Sequence, residues 1–355
     1  MSLPYLQPYF GLGNSLQTAQ AAAGGAGAAA SGGWVELART TLGSASNNID
    51  VTSLADKRYL MVLGFLDGGD INTRITFNND TGSNYSNRYN YNGGTDVLKT
   101  SVTDIRTDSS SVGKEFWVEY ISNLSSKEKL WQAHMIKNSS SGAGNAPSRG
   151  EFPAKWTNTS SVISSIKHSD SAGATDIASG SEVVVLGWDP ADTHTSNFWE
   201  ELASVSGDGT STTLDSGTIT AKKYLWVQAY GSATTMDNMA FRFNSDTGSN
   251  YSRRLSLNGV EQTATSQTYL RLGSGSPTGG SLFGSGFIIN NSANEKLLTS
   301  HWCRNRSTGA GTAPERFETV GKWANTSSQI TSIQLIQSTS NNWDSDSMIK
   351  VWGSD

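Results

Sequence analysis

The most constraining feature of the sequence is a long internal repeat. The nonapeptide FNNDTGSNY at residues 77–85 recurs as FNSDTGSNY at residues 243–251. Further matches follow in the same order, and all of them are displaced by 165 to 167 residues. They pair residues 57–60 with 222–225, 128–130 with 295–297, 142–147 with 309–314, and 155–161 with 322–328. This period is well beyond the roughly 20 to 50 residues of solenoid and propeller units, so the sequence predicts a domain duplication.

The length of the chain fits two domains preceded by a shorter segment. Of the 355 residues, we assign 1–33 to an N-terminal arm, 34–190 to the first copy and 191–355 to the second. Each copy has roughly 160 residues, which is enough to enclose its own hydrophobic core. Because the join near residues 189–194 is short, we expect the copies to lie against each other rather than swing freely.

Short apolar or alternating runs, such as residues 59–65 and 72–77, indicate strands. They recur about every 10 to 20 residues and are bounded by Gly, Asn, Asp and Ser, as in antiparallel folds. No stretch has the periodicity of an amphipathic helix of three or more turns. The sequence therefore predicts an all-β fold with two tandem antiparallel β-sandwich or jelly-roll domains.

The charge and cysteine content exclude some functions. Charged residues make up 16% of the chain and the net charge is −5, so there is no basic field to attract nucleic acid. The first residues have neither a basic segment nor a continuous apolar run, and we expect no signal peptide and no membrane span. The single cysteine, Cys303, stands where the first copy has Ile136; no intrachain disulfide is possible, and we expect a small buried side chain.

The first 33 residues lie outside the repeat. Residues 20–33 are almost entirely Ala and Gly, and such a segment cannot build a core of its own. It could be a disordered tail, but we favour an assembly arm that docks on another subunit. The residues predicted to dock are Leu3, Pro4, Tyr5, Pro8, Tyr9 and Phe10.

Asp80 and Asp246 lie in an Asp-Thr-Gly-Ser sequence that occurs once in each copy. The pair resembles the two aspartates of pepsin-like proteases, which share a proton because carboxylates about 3 Å apart cannot both ionise. Here the flanking residues are polar, and Arg88 and Arg254 are close enough in sequence to pair with the aspartates. We therefore interpret the motif as a turn in which the Asp side chain caps backbone amides.

The same turns offer oxygen ligands of the kind that calcium takes. The candidate ligands are Asp80, Asn84, Asp246 and Asn250. Their spacing matches no defined calcium loop, so we predict no metal and no cofactor and keep these residues as candidates only. Exposed Trp or Tyr side chains could instead stack on a sugar ring.

His134 and His301 occupy equivalent positions in the two copies. Neither has a Cys or a second His at ligand spacing, and we expect side chains packed under loops rather than catalytic groups. The loops at residues 141–149 and 308–316 lack the Lys-Ser/Thr ending of a phosphate-binding loop, so we expect structured hairpin connections. Trp156 and Trp323 are expected to anchor the cores at strand ends.

The order of the repeated motifs resembles that of β-sandwich structural proteins from tailed phages and related marine viruses. The motifs are FNxDTGSNYxxR, EKL, GAGxAPxR, KWxNTSS and a last strand ending in Val-Leu-Gly or Val-Trp-Gly. The resemblance implies a non-enzymatic virion protein, made in the host cytoplasm, that serves as a capsid decoration, cement or head-fibre subunit. The implied partners are the major capsid protein or tail proteins and further copies of the chain, and we expect a homotrimer.

Two alternatives remain. The first is a tail-fibre or appendage module that binds host surface glycans, which would require exposed Trp and Tyr side chains clustered in a groove. The second is a two-lobed aspartic protease, which would require Asp80 and Asp246 to face each other across one cleft.

Overall fold

The computed structural model describes residues 33–355, except residues 70, 108–112, 172, 175, 194–195, 274–279, 306–308 and 340. The arm residues Leu3, Pro4, Tyr5, Pro8, Tyr9 and Phe10 lie outside this part of the chain. Their docking on another subunit stays a prediction.

The described residues form strands and no helix. The strands of the first half are β1 (Val35–Thr41), β2 (Asn48–Val51), β3 (Tyr59–Leu66), β4 (Thr73–Phe77), β5 (Tyr85–Tyr91), β6 (Val97–Val102), β7 (Ile105–Arg106), β8 (Lys114–Ser122), β9 (Lys129–Asn138), β10 (Ser148–Trp156), β11 (Ile166–Asp170) and β12 (Glu182–Trp188). Those of the second half are β13 (Glu200–Ser206), β14 (Thr213–Asp215), β15 (Tyr224–Ala233), β16 (Met239–Phe243), β17 (Tyr251–Leu257), β18 (Val260–Gln267), β19 (Leu270–Arg271), β20 (Gly280–Ile289), β21 (Lys296–Asn305), β22 (Glu315–Trp323), β23 (Ile333–Gln337) and β24 (Met348–Ser354).

Each half contains one eight-stranded and one four-stranded sheet. In the first half the strand orders are β1-β12-β3-β8-β9-β10-β5-β6 and β2-β11-β4-β7. The second half has the same two orders with every strand number raised by 12. All pairings between these strands are antiparallel. The predicted all-β antiparallel class is confirmed.

The apolar strand β3 is buried on both faces. Leu60 and Val62 belong to the core between the two sheets of the first half, whereas Met61, Leu63 and Phe65 belong to a second cluster on the other face. Successive side chains of a strand point to opposite faces, so a strand covered on both sides needs a continuous apolar run. This explains why the run beginning at residue 59 does not alternate.

The second cluster joins the two halves of the chain. The first half contributes residues from β3, β8, β9 and β12, among them Phe65, Phe116 and Ile136. The second half contributes residues that include Tyr224 and Leu297. Burial of a large apolar side chain contributes about 1.5 to 3 kcal/mol. The eight-stranded sheets therefore hold the halves together, with each four-stranded sheet on the far side of its own eight-stranded sheet.

Two details differ from what the sequence suggests. Cys303, expected to be buried, is exposed on β21, because the second half does not place this end of β21 in the contact that buries Ile136. Strand β10 contains Pro153 and lies between β9 and β5. Proline donates no hydrogen bond to a ladder and normally indicates an edge or a loop, so this stretch has no strand signature.

Candidate functional site

The repeated aspartate sits in a tight turn between β4 and β5. Asn78 and Asn79 both have φ of 53°, and the Asp80 amide donates to the Phe77 carbonyl at 2.9 Å. Positive φ at both central residues defines a type I′ turn, which Asn tolerates better than most residues. Asn244 and Ser245 repeat the arrangement with φ of 50° and 54°.

The Asp80 carboxylate accepts three kinds of hydrogen bond within its own half. The donors are the Gly82 amide at 2.8 Å, the Asn84 side chain at 2.9 Å and the Trp156 indole at 2.7 Å. Burial alone would raise the pKa of Asp80, but these hydrogen bonds outweigh it and lower that pKa. A side chain at Gly82 would collide with Asn84, because its Cβ would lie 2.7 Å from Nδ2.

Asp246 has the same environment in the second half. It accepts from Gly248 at 2.8 Å, from Asn250 at 2.8 Å and from Trp323 at 2.7 Å. The hydrogen bonds from Trp323, Asn250 and Gly248 also outweigh burial here and lower the pKa of Asp246. The predicted capping of backbone amides is confirmed in both turns.

These turns give no support to either chemical reading of the motif. A pair that shares a proton has one carboxyl with a raised pKa, whereas both pKa values are lowered here. Asn84 and Asn250 point their NH₂ groups, which are donors, at the carboxylates. A cation would have to displace these donors from Asp80 and Asp246.

The two arginines that are close enough in sequence to pair with the aspartates lie beside other carboxylates. Arg88 binds Asp96 at 2.9 Å, and Arg254 lies 3.7 Å from Glu261. Both arginines follow the turn on a strand, β5 or β17. Each of these strands forms a hairpin with the next strand, β6 or β18. Asp96, just before β6, and Glu261, on β18, therefore lie closer to the arginines than the aspartates of the Asp-Thr-Gly-Ser turns do.

The junction between the halves brings together groups that are far apart in sequence. His134 on β9 and His301 on β21 meet edge to face, with ring centroids 4.0 Å apart. Glu151 on β10 and Glu318 on β22 hydrogen-bond to each other. Each pair consists of equivalent residues from the two halves. The sequence gives no signal of these contacts, because the second member of each pair comes from the other copy.

Arg149 and the two glutamates form the charged part of the junction. The Arg149 guanidinium pairs with Glu151, with Glu318 at 2.9 Å and with Glu261 at 3.1 Å. Burial and the hydrogen bond to Glu318 raise the pKa of Glu151 to about 7. Burial alone would raise the pKa of Glu318 as well, but the hydrogen bond from Glu151 and the charge of Arg149 lower it. The opposite shifts assign the proton shared by the pair to Glu151, which donates it to Glu318.

The histidines stay neutral at physiological pH. Burial, together with the neighbouring His301 and Arg149, lowers the pKa of His134 well below its ordinary range. Burial also lowers the pKa of His301 to about 4, although Glu318 opposes the shift. Protonation of either ring would place a positive charge beside the other and beside Arg149.

The ligand atoms of His134, Glu151 and His301 lie within 4.8 Å of one another. Two neutral imidazoles and a carboxylate are donors that zinc accepts. Glu151, however, already binds Arg149 and Glu318, so a metal ion would compete with a guanidinium. The arrangement joins the two halves of the chain through the histidine pair and the Arg149–Glu318 ion pair.

A loop of the first half, residues 139–147, lies on the second half; we call it the strap. The Gly142 amide donates to Glu295 at 2.6 Å, and Lys322 donates to the Ser140 carbonyl at 2.6 Å. The Ser266 amide donates to the Ala143 carbonyl at 2.7 Å. The expected hairpin connection between β9 and β10 is therefore also a clamp on the second half.

The comparisons with known proteins identify no relative. No protein-family model matches the chain, and no curated protein matches it. One match is the crystal structure of Ail, the attachment invasion locus protein of Yersinia pestis, in complex with the heparin analogue sucrose octasulfate. The sequence identity is 6%, the match covers 79% of this chain and 99% of that chain, and the TM-score is 0.13. The outer membrane protein OprG from Pseudomonas aeruginosa is 8% identical, with 89% and 100% covered and a TM-score of 0.10. These scores carry no information about fold or function.

The described residues contain no helix of the length and apolarity needed to cross a membrane.

Proposed function

We propose that the chain is a non-enzymatic structural protein of a virus particle, a capsid decoration, cement or head-fibre subunit. The observation that supports this proposal is that the repeated polar residues make contacts within the protein. Asn84 and Trp156 both donate hydrogen bonds to Asp80 within the first half, and the histidines and glutamates join the halves. Residues of catalytic type thus serve as internal supports of a rigid body.

We further infer that each half is a β-sandwich of one eight-stranded and one four-stranded sheet, and that the halves arose by duplication. The identical strand orders and the repeated motifs support this inference. The N-terminal arm would anchor the protein to the major capsid protein or to tail proteins, and the chain would assemble as a homotrimer. It would be made in the host cytoplasm and reside in the virion.

The test is the composition of purified particles. Quantitative mass spectrometry of gradient-purified virus from infected cultures should find the chain in a fixed ratio to the major capsid protein. Antibodies against residues 34–355 should label intact particles in electron micrographs. A chain that stays in the lysed-cell fraction, with no label on particles, would contradict the proposal.

One observation favours the glycan-binding alternative. Tyr59 and Trp188 stack with ring centroids 5.4 Å apart, and Tyr59 is exposed. Tyr59, with the half-buried Trp188 stacked beside it, is a surface on which a sugar ring can stack. Binding to a glycan array that is lost in Tyr59→Ala and kept in Val260→Ala would support this function, whereas equal signals for the two variants would remove it.

A further inference from the structure

The contact between the halves uses different ends of two equivalent sheets. The first half contributes Phe65, Phe116 and Ile136, which we call face A. The second half contributes Tyr224, Leu297 and Val320, which we call face B. If equivalent residues met throughout the junction, each half would use the same end. At these two ends the apolar contact is heterologous, although the equivalent pairs Trp34 and Trp199, and Tyr120 and Phe287, also pack against the same cluster.

Face A has an exposed counterpart on the second half. In the first half, Phe65 lies opposite Phe116 on the neighbouring strand. The equivalent positions in the second half are Tyr230 and Phe283, which also lie opposite each other. Tyr230 is 36% exposed and Phe283 is 39% exposed, whereas Phe65 and Phe116 are at most 2% exposed. Cys303, the exposed equivalent of Ile136, lies opposite Phe283. We call Tyr230, Phe283 and Cys303 the open copy of face A.

Face B has an exposed counterpart on the first half. Its residues are Tyr59, Leu130 and Pro153, the equivalents of Tyr224, Leu297 and Val320; we call them the open copy of face B. Tyr59 is 36% exposed and Leu130 is 60% exposed, whereas Tyr224 and Leu297 are at most 1% exposed.

The strap shows the same asymmetry. Its equivalent in the second half includes residues 309–314, which are all exposed. The strap covers Lys322 and Glu295, whose side chains are 0% and 5% exposed. The equivalent pair, Lys155 and Glu128, is 42% exposed at both side chains. The apolar face, the loop and the ion pair each therefore occur once buried or docked between the halves and once with exposed side chains.

The open faces contain half of the exposed large hydrophobic side chains in the described part of the chain. Eight large hydrophobic side chains are exposed in the described part of the chain. Four of them are Tyr59, Leu130, Tyr230 and Phe283, and a fifth, Met348, lies opposite Tyr230. Met348 occupies the register position of Glu182, which accepts a hydrogen bond from Tyr224 across the closed contact. Met348 therefore offers a partner that presents Tyr59 an apolar surface and no carboxylate acceptor for its hydroxyl.

The two ends of one sheet face are far enough apart for two partners. Tyr224 and Tyr230 are six residues apart on β15, which corresponds to about 20 Å along a strand. One end can thus stay in contact with the other half of the same chain while the opposite end receives a new neighbour.

We propose that chains assemble head to tail, with the open copy of face A on one chain docked on the open copy of face B of the next. The partner is a second copy of this chain, and the contact joins the equivalents of the two apolar faces that meet between the halves. A heterologous contact produces a ring if its rotation closes and a filament if it does not. The proposal rests on the structural role proposed above, and a homotrimer built this way would be a ring of six halves.

The test is sedimentation velocity of the full-length chain and three variants over a hundredfold range of concentration. Leu130→Asp alters the open copy of face B and Phe283→Asp the open copy of face A. Val260→Asp, at a position that is 65% exposed and outside both faces, is the control. We expect the wild type and Val260→Asp to form species larger than a monomer. Each of the other two variants should associate at least tenfold more weakly.

Mixing is the decisive step. An equimolar mixture of Leu130→Asp and Phe283→Asp has one intact pair of faces, so it should form a dimer and stop there. A wild-type chain that stays monomeric, an assembly that persists in both variants, or a mixture that remains monomeric would overturn the proposal. Particles that contain the chain while the purified chain stays monomeric would leave the virion function intact. Head-to-tail assemblies of a chain absent from particles would instead overturn the virion function alone.

Discussion

The ion pairs Lys322–Glu295 and Lys155–Glu128 occupy the same positions in the two halves, yet they differ in environment. The first is covered by the strap, and Lys322 also donates to Asn138 at 2.9 Å. The second joins two exposed side chains at 2.9 Å. The repeat thus preserves the strands and their register, whereas the neighbouring half decides which equivalent residues are buried. Four predictions test how far this difference extends.

The largest difference is expected at face A. Phe65→Ala removes a buried aromatic ring from the junction and should lower the free energy of unfolding by about 4 kcal/mol. Its exposed equivalent is the control, since Tyr230→Ala should cost less than about 1 kcal/mol. Urea unfolding at low protein concentration, where chains are separate, measures both. Similar losses would show that the two ends of the sheets are equally buried.

The ion pairs themselves come next. Glu295→Ala leaves the buried Lys322 ammonium without its carboxylate and should destabilise the chain by about 3 kcal/mol. Glu128→Ala removes an exposed partner and should cost about 0 to 1 kcal/mol. Chemical denaturation of the two variants side by side provides the measurement. If the strap moved away and water reached Lys322, Glu295→Ala would destabilise the chain no more than Glu128→Ala does.

The aspartate turns should show no difference between the halves. Trp156→Phe and Trp323→Phe each remove an indole donor from a carboxylate, and a hydrogen bond to a charged group contributes about 2 kcal/mol. We expect equal losses in thermal or chemical unfolding, because the distances in both turns are 2.7 Å. Unequal losses would show that the environment set by the other half reaches the turns.

The smallest effect concerns pH and the glutamates of the junction. The pKa of Glu151 is raised in the folded chain to about 7 from an ordinary value of 4.5. Its contribution to stability is therefore fully present below pH 4.5 and is lost as the pH rises through 7. Glu151→Gln removes this loss, so its Tm relative to wild type should rise between pH 4.5 and 7.

Histidine makes the net slope of the wild type shallow. The pKa of His301 is lowered to about 4 from 6.5, so its contribution is present above pH 6.5 and is lost as the pH falls toward 4. His301→Gln should accordingly reduce the loss of Tm on acidification. A Tm difference for Glu151→Gln that does not change between pH 4.5 and 7 would contradict the shared proton.

Local sequence signals predicted the strands and the turns. The apolar run at residues 59–65 became β3, and the alternation at residues 72–77 became β4. The capping role of Asp80 followed from Asp beside Thr and Gly, because an Asx side chain readily bonds an amide two residues on. These features depend on neighbours within about ten residues, which is the range that periodicity and turn chemistry describe.

Contacts between the halves were not predictable from such signals. His134 and His301 meet through the packing of two sheets, and nothing in either strand specifies the offset. The same offset buries Ile136 and exposes Cys303, so equating their environments from the alignment gave a wrong prediction for Cys303. Strands β10 and β22 were both missed; β10 contains Pro153 but β22 contains no proline, so proline alone does not account for the omission.

The strap gives the molecule a direction. Two similar halves could have been related by a two-fold axis, so that both ends of the protein would offer a partner the same surface. One docked loop and one exposed loop remove that equivalence, and the two ends of the chain differ in shape, charge and apolar surface. A head-to-tail assembly of such units would therefore have a polarity.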